Sequence, residues 1–194
     1  MEAHPVLDYD LEAARYDETR GGLPRAGAAA RAVCELVPAG GTLLDIACGT
    51  GLVSRELAGR GLRVLGVDTS QGMARIAADR VDVVLGDGRA LPVRDGAFDA
   101  VTVIWLLHLL DDARPVIAEA ARVLRPGGLF VTTVDKRAAH GPGGRPSPAD
   151  RAELVVEEAS SRGLRMSGES TFVGHGQGRS GPDPIFRLLA FTRL

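Results

Sequence analysis

Three short apolar runs in this 194-residue chain end on glycines or on an acid. The run at residues 43–46 contains Asp45 and passes into CGTG at 48–51, the run at 62–67 ends on Asp68, and the run at 81–85 leads through Gly86 to Asp87. Gly49 and Gly51 lack Cβ atoms, so main-chain amides can approach a bound molecule there, and a helix starting near Leu52 offers partial positive charge to a carboxylate. Asp45 can fix this turn by accepting amide hydrogens, or can reach a ligand ammonium. Asp68 stands where an acid can accept both hydroxyls of a ribose. Asp87, beside the Gly88 amide, can meet the exocyclic amine of adenine. Each feature alone has a plain structural reading, as a glycine turn, a helix cap or a turn residue. Three acids ending three successive strands, however, line one crevice suited to an adenosine.

The elements that must position these residues follow from periodicity. Residues 24–37 carry Ala29, Val33, Leu36 and Val37 at helical spacing and stop at Pro38, Gly40 and Gly41. A strand, the glycine turn and a helix over 52–60 come next, then a second strand over 62–67 and a helix capped by Ser70 that carries Met73, Ile76 and Ala77. Residues 81–85, 99–104 and 129–134 read as the third to fifth strands, with a helix over 111–124. Ser147, Pro148 and Asp150 start a further helix that Gly163 closes, and strands over 165–173 and 185–193 complete a seven-stranded sheet. The expected fold is a single α/β domain over 1–194, Rossmann-like and doubly wound, with a mainly parallel sheet and helices on both faces. Its core spans 42–134, with 135–194 supplying loops and final strands. Gly- and Pro-rich stretches at 138–147 and 174–184 read as loops, the first beyond the carboxyl end of the fifth strand, where ligands bind in such sheets.

Composition narrows the partners. The formal net charge is -2, from 23 Lys plus Arg against 25 Asp plus Glu, so no global positive field is available for a nucleic-acid backbone. The amino-terminal residues carry acids rather than a basic flank and an apolar run, and the longest apolar run, 104–110, is far short of the about 20 residues that cross a bilayer. A cytoplasmic protein without nucleic-acid or membrane partners is expected, as a monomer or homodimer. Cys34 and Cys48 read as free thiols without metal-ligand spacing, and no metal site is expected.

The segments LLDIACGTG, VLGVDTSQGM, GDGRALPVRDGAFDAV and EAARVLRPGGLFV, in that order and spacing over residues 42–134, resemble the class I S-adenosylmethionine-dependent methyltransferases, especially the small group that includes the quinone C-methyltransferases. The resemblance implies S-adenosylmethionine as cofactor and S-adenosylhomocysteine as product. It places Asp45, Gly49 and Gly51 around the methionine part, Asp68 at the ribose, Met73 on one adenine face and Asp87 with Gly88 at the amine. Ala47, Thr69 and Ile104 join the cofactor-binding set, and Arg125, Pro126, Gly127 and Gly128 form the turn into the fifth strand. A Tyr-Asp pair frequent in the family's amino-terminal segment is matched by Tyr16 and Asp17, with Arg20 one turn later. Tyr16 and Arg20 can close over the cofactor, the cation meeting its carboxylate, or can decorate an exposed helix. Residues 1–22 are then a lid.

One departure matters. Where relatives often carry a His doublet after the fourth strand, this chain has Leu107 and His108, so His108 is a candidate base or a structural histidine, and Trp105 flanks the cofactor or fills the core. His140 and His175, on the two Gly-rich loops, are the other candidate bases, and Asp135 can also face the acceptor. A sulfonium methyl is already activated, so direct in-line displacement needs mainly an acceptor held about 3 to 3.5 Å away in a water-poor pocket. Without an inserted cap domain the acceptor should be a small molecule; its O, N, C or S atom is left open. Two other readings stand beside this one. One is a cofactor-binding protein without methyl transfer, as a partner subunit or in another S-adenosylmethionine-dependent reaction. The other is a nicotinamide oxidoreductase, although GTGLVS lacks the third glycine of the dinucleotide fingerprint.

Overall fold

The computed structural model describes residues 8–140, 149–178 and 181–194. Strands β1 (Thr42–Ile46), β2 (Arg63–Asp68), β3 (Asp82–Leu85), β4 (Phe98–Val103), β5 (Leu124–Val134), β6 (Leu164–Val173) and β7 (Ile185–Arg193) form one sheet in the order β3-β2-β1-β4-β5-β7-β6. The first five pair in parallel, and β7 runs antiparallel between β5 and β6. The expected seven-stranded, mainly parallel α/β sheet is thus found.

Helices α1 (Tyr9–Thr19), α2 (Gly22–Cys34), α3 (Leu52–Ala58), α4 (Gln71–Ala77), α5 (Arg114–Val123) and α6 (Ala152–Ser161) complete the architecture. Successive side chains of a strand point to opposite faces, so β1 feeds both layers. Leu43 packs with Ala29 and Val33 of α2 and Leu57 of α3, whereas Leu44 and Ile46 pack with Val116 and Ile117 of α5 and Val155 of α6. With both faces covered, the central strands read as nearly unbroken apolar runs. Ser70 caps α4 as expected, its Oγ accepting the Met73 amide at 3.1 Å.

Two boundaries differ from expectation. Strand β5 begins at Leu124, so residues 125–128 lie inside it, with a register shift between Phe98 and Ala100 on the partner strand. The proposed Ser147 and Pro148 start to the last helix lies outside the described residues, and α6 begins at Ala152. Its first amide is accepted by the Asp135 carboxylate at 3.2 Å. Asp135, read above as facing an acceptor, is therefore used as a cap from the end of β5. The neighbouring chain is clamped too: the Asp150 carbonyl accepts the Asp135 amide at 2.8 Å and the Asp150 carboxylate accepts the Lys136 amide at 3.0 Å. Among the described residues no helix is long and apolar enough to cross a membrane.

Candidate active site

A cleft opens at the carboxyl ends of β1, β2 and β4, beneath α1 and the first turn of α2. Its floor is the turn after β1. Ala47, Gly49 and Gly51 all have positive φ, at 58°, 57° and 77°, in the left-handed region where a side chain is strained. The two glycines serve different ends. A Cβ on Gly51 would lie 3.1 Å from the Ala77 Cβ, so this glycine lets α3 and α4 approach, and it is not a wall of the cleft. A Cβ on Gly49 would meet nothing within 4 Å. Gly49 borders the cleft, so the missing Cβ leaves room for a ligand.

Two acids hold this floor. Asp45 is buried and accepts the Ser54 hydroxyl at 2.5 Å and the Thr102 hydroxyl at 2.8 Å, tying β1 to α3 and β4. Burial pushes its carboxyl up to about 6, against the two hydroxyl hydrogen bonds. Asp68 accepts the Gly49 amide at 2.8 Å on one oxygen and the Ser70 amide at 2.9 Å on the other. Its pKa is raised by burial, and the amides pull it the other way. Each oxygen retains acceptor capacity toward a ligand hydroxyl.

Of the residues singled out in sequence, Tyr16, Arg20, Asp45, Ala47, Gly49, Asp68, Thr69, Met73 and Ile104 all border this one cleft. Gly51, Asp87 and Gly88 do not. The Asp87 carboxylate instead meets the Arg89 guanidinium through contacts down to 2.7 Å at the surface, and a Cβ on Gly88 would strike Ile46 at 2.6 Å. The three histidines also stand off the walls. His108 is buried, with Nε2 2.9 Å from the Lys136 ammonium; His140 lies edge-on to Phe186 at 5.8 Å between ring centroids; His175 faces Asp183 at 3.8 Å. Burial and the charges of Lys136, Arg137, Arg25 and His140 push His108 down to about 3, so it is neutral at ordinary pH and its Nε2 accepts from the ammonium.

Helix α1 forms the roof. Asp10 takes the Ser70 hydroxyl at 2.6 Å and the Gly72 amide at 2.7 Å, and Asp17 takes the Thr50 hydroxyl at 2.5 Å and pairs with Arg80 at 2.8 Å. These latches set Tyr16 and Arg20 over the cleft. Arg20 has a buried Nε without a partner among the described residues. Sequence reasoning missed Arg25, which stacks its guanidinium 3.6 Å from the Trp105 ring centroid. Its one signal was a cation on the buried face of an alanine-rich helix. Trp105 itself has φ of 62° and sits edge-on to Phe172 and Phe186.

Residues 44–132 match the family model described as a methyltransferase domain. A demethylmenaquinone methyltransferase of Renibacterium salmoninarum is 38% identical over 106 residues, which make up 53% of this chain and 45% of that protein. The chain spans about half the length of the curated relatives it matches. A solved S-adenosylmethionine-dependent methyltransferase from Thermotoga maritima has a TM-score of 0.76 at 21% identity, covering 98% of this chain and 100% of that one. The [4+2]-cyclase SpnF has a TM-score of 0.75 at 22% identity over 95% and 94% of the two chains, so the fold alone does not define the reaction. Over residues 44–132 the chain is therefore similar to methyltransferase domains, and its fold is that of solved S-adenosylmethionine-dependent methyltransferases. Over about half of its length the sequence is similar to demethylmenaquinone methyltransferases.

Proposed function

We propose that the cleft binds S-adenosylmethionine and that the chain transfers its methyl group to a small molecule. The observation that carries this reading is the convergence of Asp45, Gly49 and Asp68 with Tyr16 and Arg20 around one cleft, which suits the donors and acceptors of that cofactor. Asp68 accepts the ribose hydroxyls, Asp45 receives the ammonium, and Arg20 offers its unpartnered Nε edge to the carboxylate. Met73, almost fully buried, supplies a soft apolar face for the adenine. Gly49 leaves the space that the methionine part fills.

The cofactor supplies a methyl group already activated on sulfur. The chain's own contribution is to hold the acceptor in line and keep water out, for which α1 serves as lid and Ile104 and Trp105 as apolar walls. The same reading has the protein in the cytoplasm, as a monomer or homodimer, acting on neither nucleic acid nor membrane and needing no metal.

Titration of the protein with S-adenosylhomocysteine, beside Asp68→Ala, is the test. Binding weakened about tenfold or more by the substitution, equivalent to roughly 1.4 kcal/mol, is expected. A folded wild type that ignores S-adenosylhomocysteine would sink the reading, and binding NADH instead would favour an oxidoreductase. Appearance of S-adenosylhomocysteine from S-adenosylmethionine with an acceptor separates methyl transfer from mere cofactor binding.

A further inference from the structure

Positive charge accumulates on one side of the cleft without an ion-paired carboxylate among the described residues. Arg25, at 6% exposure, lies on Trp105 and donates to the Arg20 carbonyl at 2.6 Å. Arg20 borders the same space. Lys136, just beyond the end of β5, is not a wall of the cleft, but it stands within electrostatic reach of Arg25 and Arg20 and is pushed down to about 8 by burial and by those two charges. None of the three makes an ion pair among the described residues. The nearby acids are otherwise engaged: Asp17 by Arg80, Asp45 by two hydroxyls, Asp68 by two amides. Asp150, which attracts Lys136 electrostatically, spends one oxygen on the Lys136 amide, and its other oxygen is buried without a partner among the described residues.

Buried cations without an ion-pair partner are costly, because low polarity strengthens their repulsion and removes their hydration. A bound anion offsets that cost. The cofactor reading, on which this inference rests, provides one carboxylate, which Arg20 answers; the cofactor's ammonium and sulfonium only add positive charge. Arg25 and Lys136 feel the more distant Asp17 and Asp150 but have no ion pair of their own among the described residues.

We propose that the acceptor binds as an oxyanion, a carboxylate or an ionised phenol, beside Arg25, with Lys136 as the second positive charge behind it. Lys136 is held by neutral His108, whose Nε2 accepts one ammonium hydrogen at 2.9 Å, so two ammonium hydrogens are left over from that bond. When the oxyanion is the nucleophile, its electron pair forms the bond to the methyl carbon as the carbon–sulfur bond breaks, and that bond's pair stays on sulfur. No proton needs removing. This agrees with cleft walls that hold no histidine among the described residues.

The test uses full-length protein saturated with S-adenosylhomocysteine and titrated with benzoate and 4-nitrophenolate, each against its neutral counterpart, benzamide and nitrobenzene. At least one anion is expected to bind about tenfold or more tightly than its counterpart, and the anion preferred identifies the source of the charge. Arg25→Met and Lys136→Met should each erase that preference, and Lys136→Met, outside the cofactor walls, should still bind S-adenosylhomocysteine. It keeps the experiment readable should Arg25→Met fail to fold. Equal binding of charged and neutral probes, no binding of either anion, or a preference that survives Lys136→Met would overturn the proposal. Failure of S-adenosylhomocysteine to bind is seen in the first titration and removes the cofactor reading, and this proposal with it.

Discussion

The Asp17 carboxylate accepts the Thr50 hydroxyl at 2.5 Å while pairing with Arg80 at 2.8 Å, so one α1 side chain fastens the roof to the glycine turn and to the chain just after α4. Arg80 also donates to the Thr50 carbonyl at 2.8 Å, closing a three-residue network. Both members of the ion pair are about a quarter exposed, so solvent weakens it. Asp17→Ala should leave the sheet folded and make α1 exchange its amides faster. The off-rate of S-adenosylhomocysteine should rise about threefold to tenfold, in keeping with loss of ~1 kcal/mol of hydrogen bonding. Unchanged α1 protection in hydrogen exchange would refute the latch.

The two glycines of the turn should separate stability from binding. Gly51→Ala forces a side chain at φ of 77° against Ala77, and should cost about 1–3 kcal/mol of folding stability. Gly49→Ala meets open space at φ of 57°, so ~1 kcal/mol is expected, with a proportionately larger loss of S-adenosylhomocysteine affinity. Thermal melts and calorimetry on both variants decide this; the same ratio of the two losses in each would count against it.

Asp68 and Asp87 follow their strands alike in sequence but differ in space. Asp68→Ala should weaken S-adenosylhomocysteine about tenfold or more, and Asp87→Ala less than about threefold, because Asp87 is committed to Arg89 outside the cleft walls. Equal losses would mean that Asp87 leaves Arg89 to meet the adenine.

Acid should act through His108. An unfolded histidine titrates near 6.5, and the folded one near 3. Between those values the unfolded chain holds more protons, so this group's contribution is present above about 6.5 and is lost as pH falls. Asp45 has the opposite sign: its folded value of about 6 exceeds that of a free carboxyl, so its contribution falls as pH rises from about 4 to about 6. His108→Asn, which still offers Lys136 an acceptor, should therefore flatten the acid side of the stability profile. Urea midpoints across that range provide the measurement, and an unchanged slope would contradict it.

The glycine turn, Asp45, Asp68 and the Ser70 cap were legible because each depends on local chain geometry after a strongly patterned strand. The parallel sheet followed from alternation of such strands with helices. Strand β6 was faint in sequence because a register shift between Met166 and Gly168 interrupts its alternation. Asp87 lies apart from the cleft walls here because β3 is an edge strand, only partly buried, and a short exposed turn pairs the acid with Arg89. Arg25 had only the weak signal of a cation on an alanine-rich helix, and Lys136 had none. Their meaning lies in Trp105 and His108, which the topology brings from another strand end.

Strand β6 hydrogen-bonds only to β7, and β7 also pairs with β5. During synthesis, β6 therefore precedes its native partner, and it must wait for a segment made after it. Until residues 185–193 are in place, both the flank of β5 and the unpaired β6 are open to mispairing with other chains.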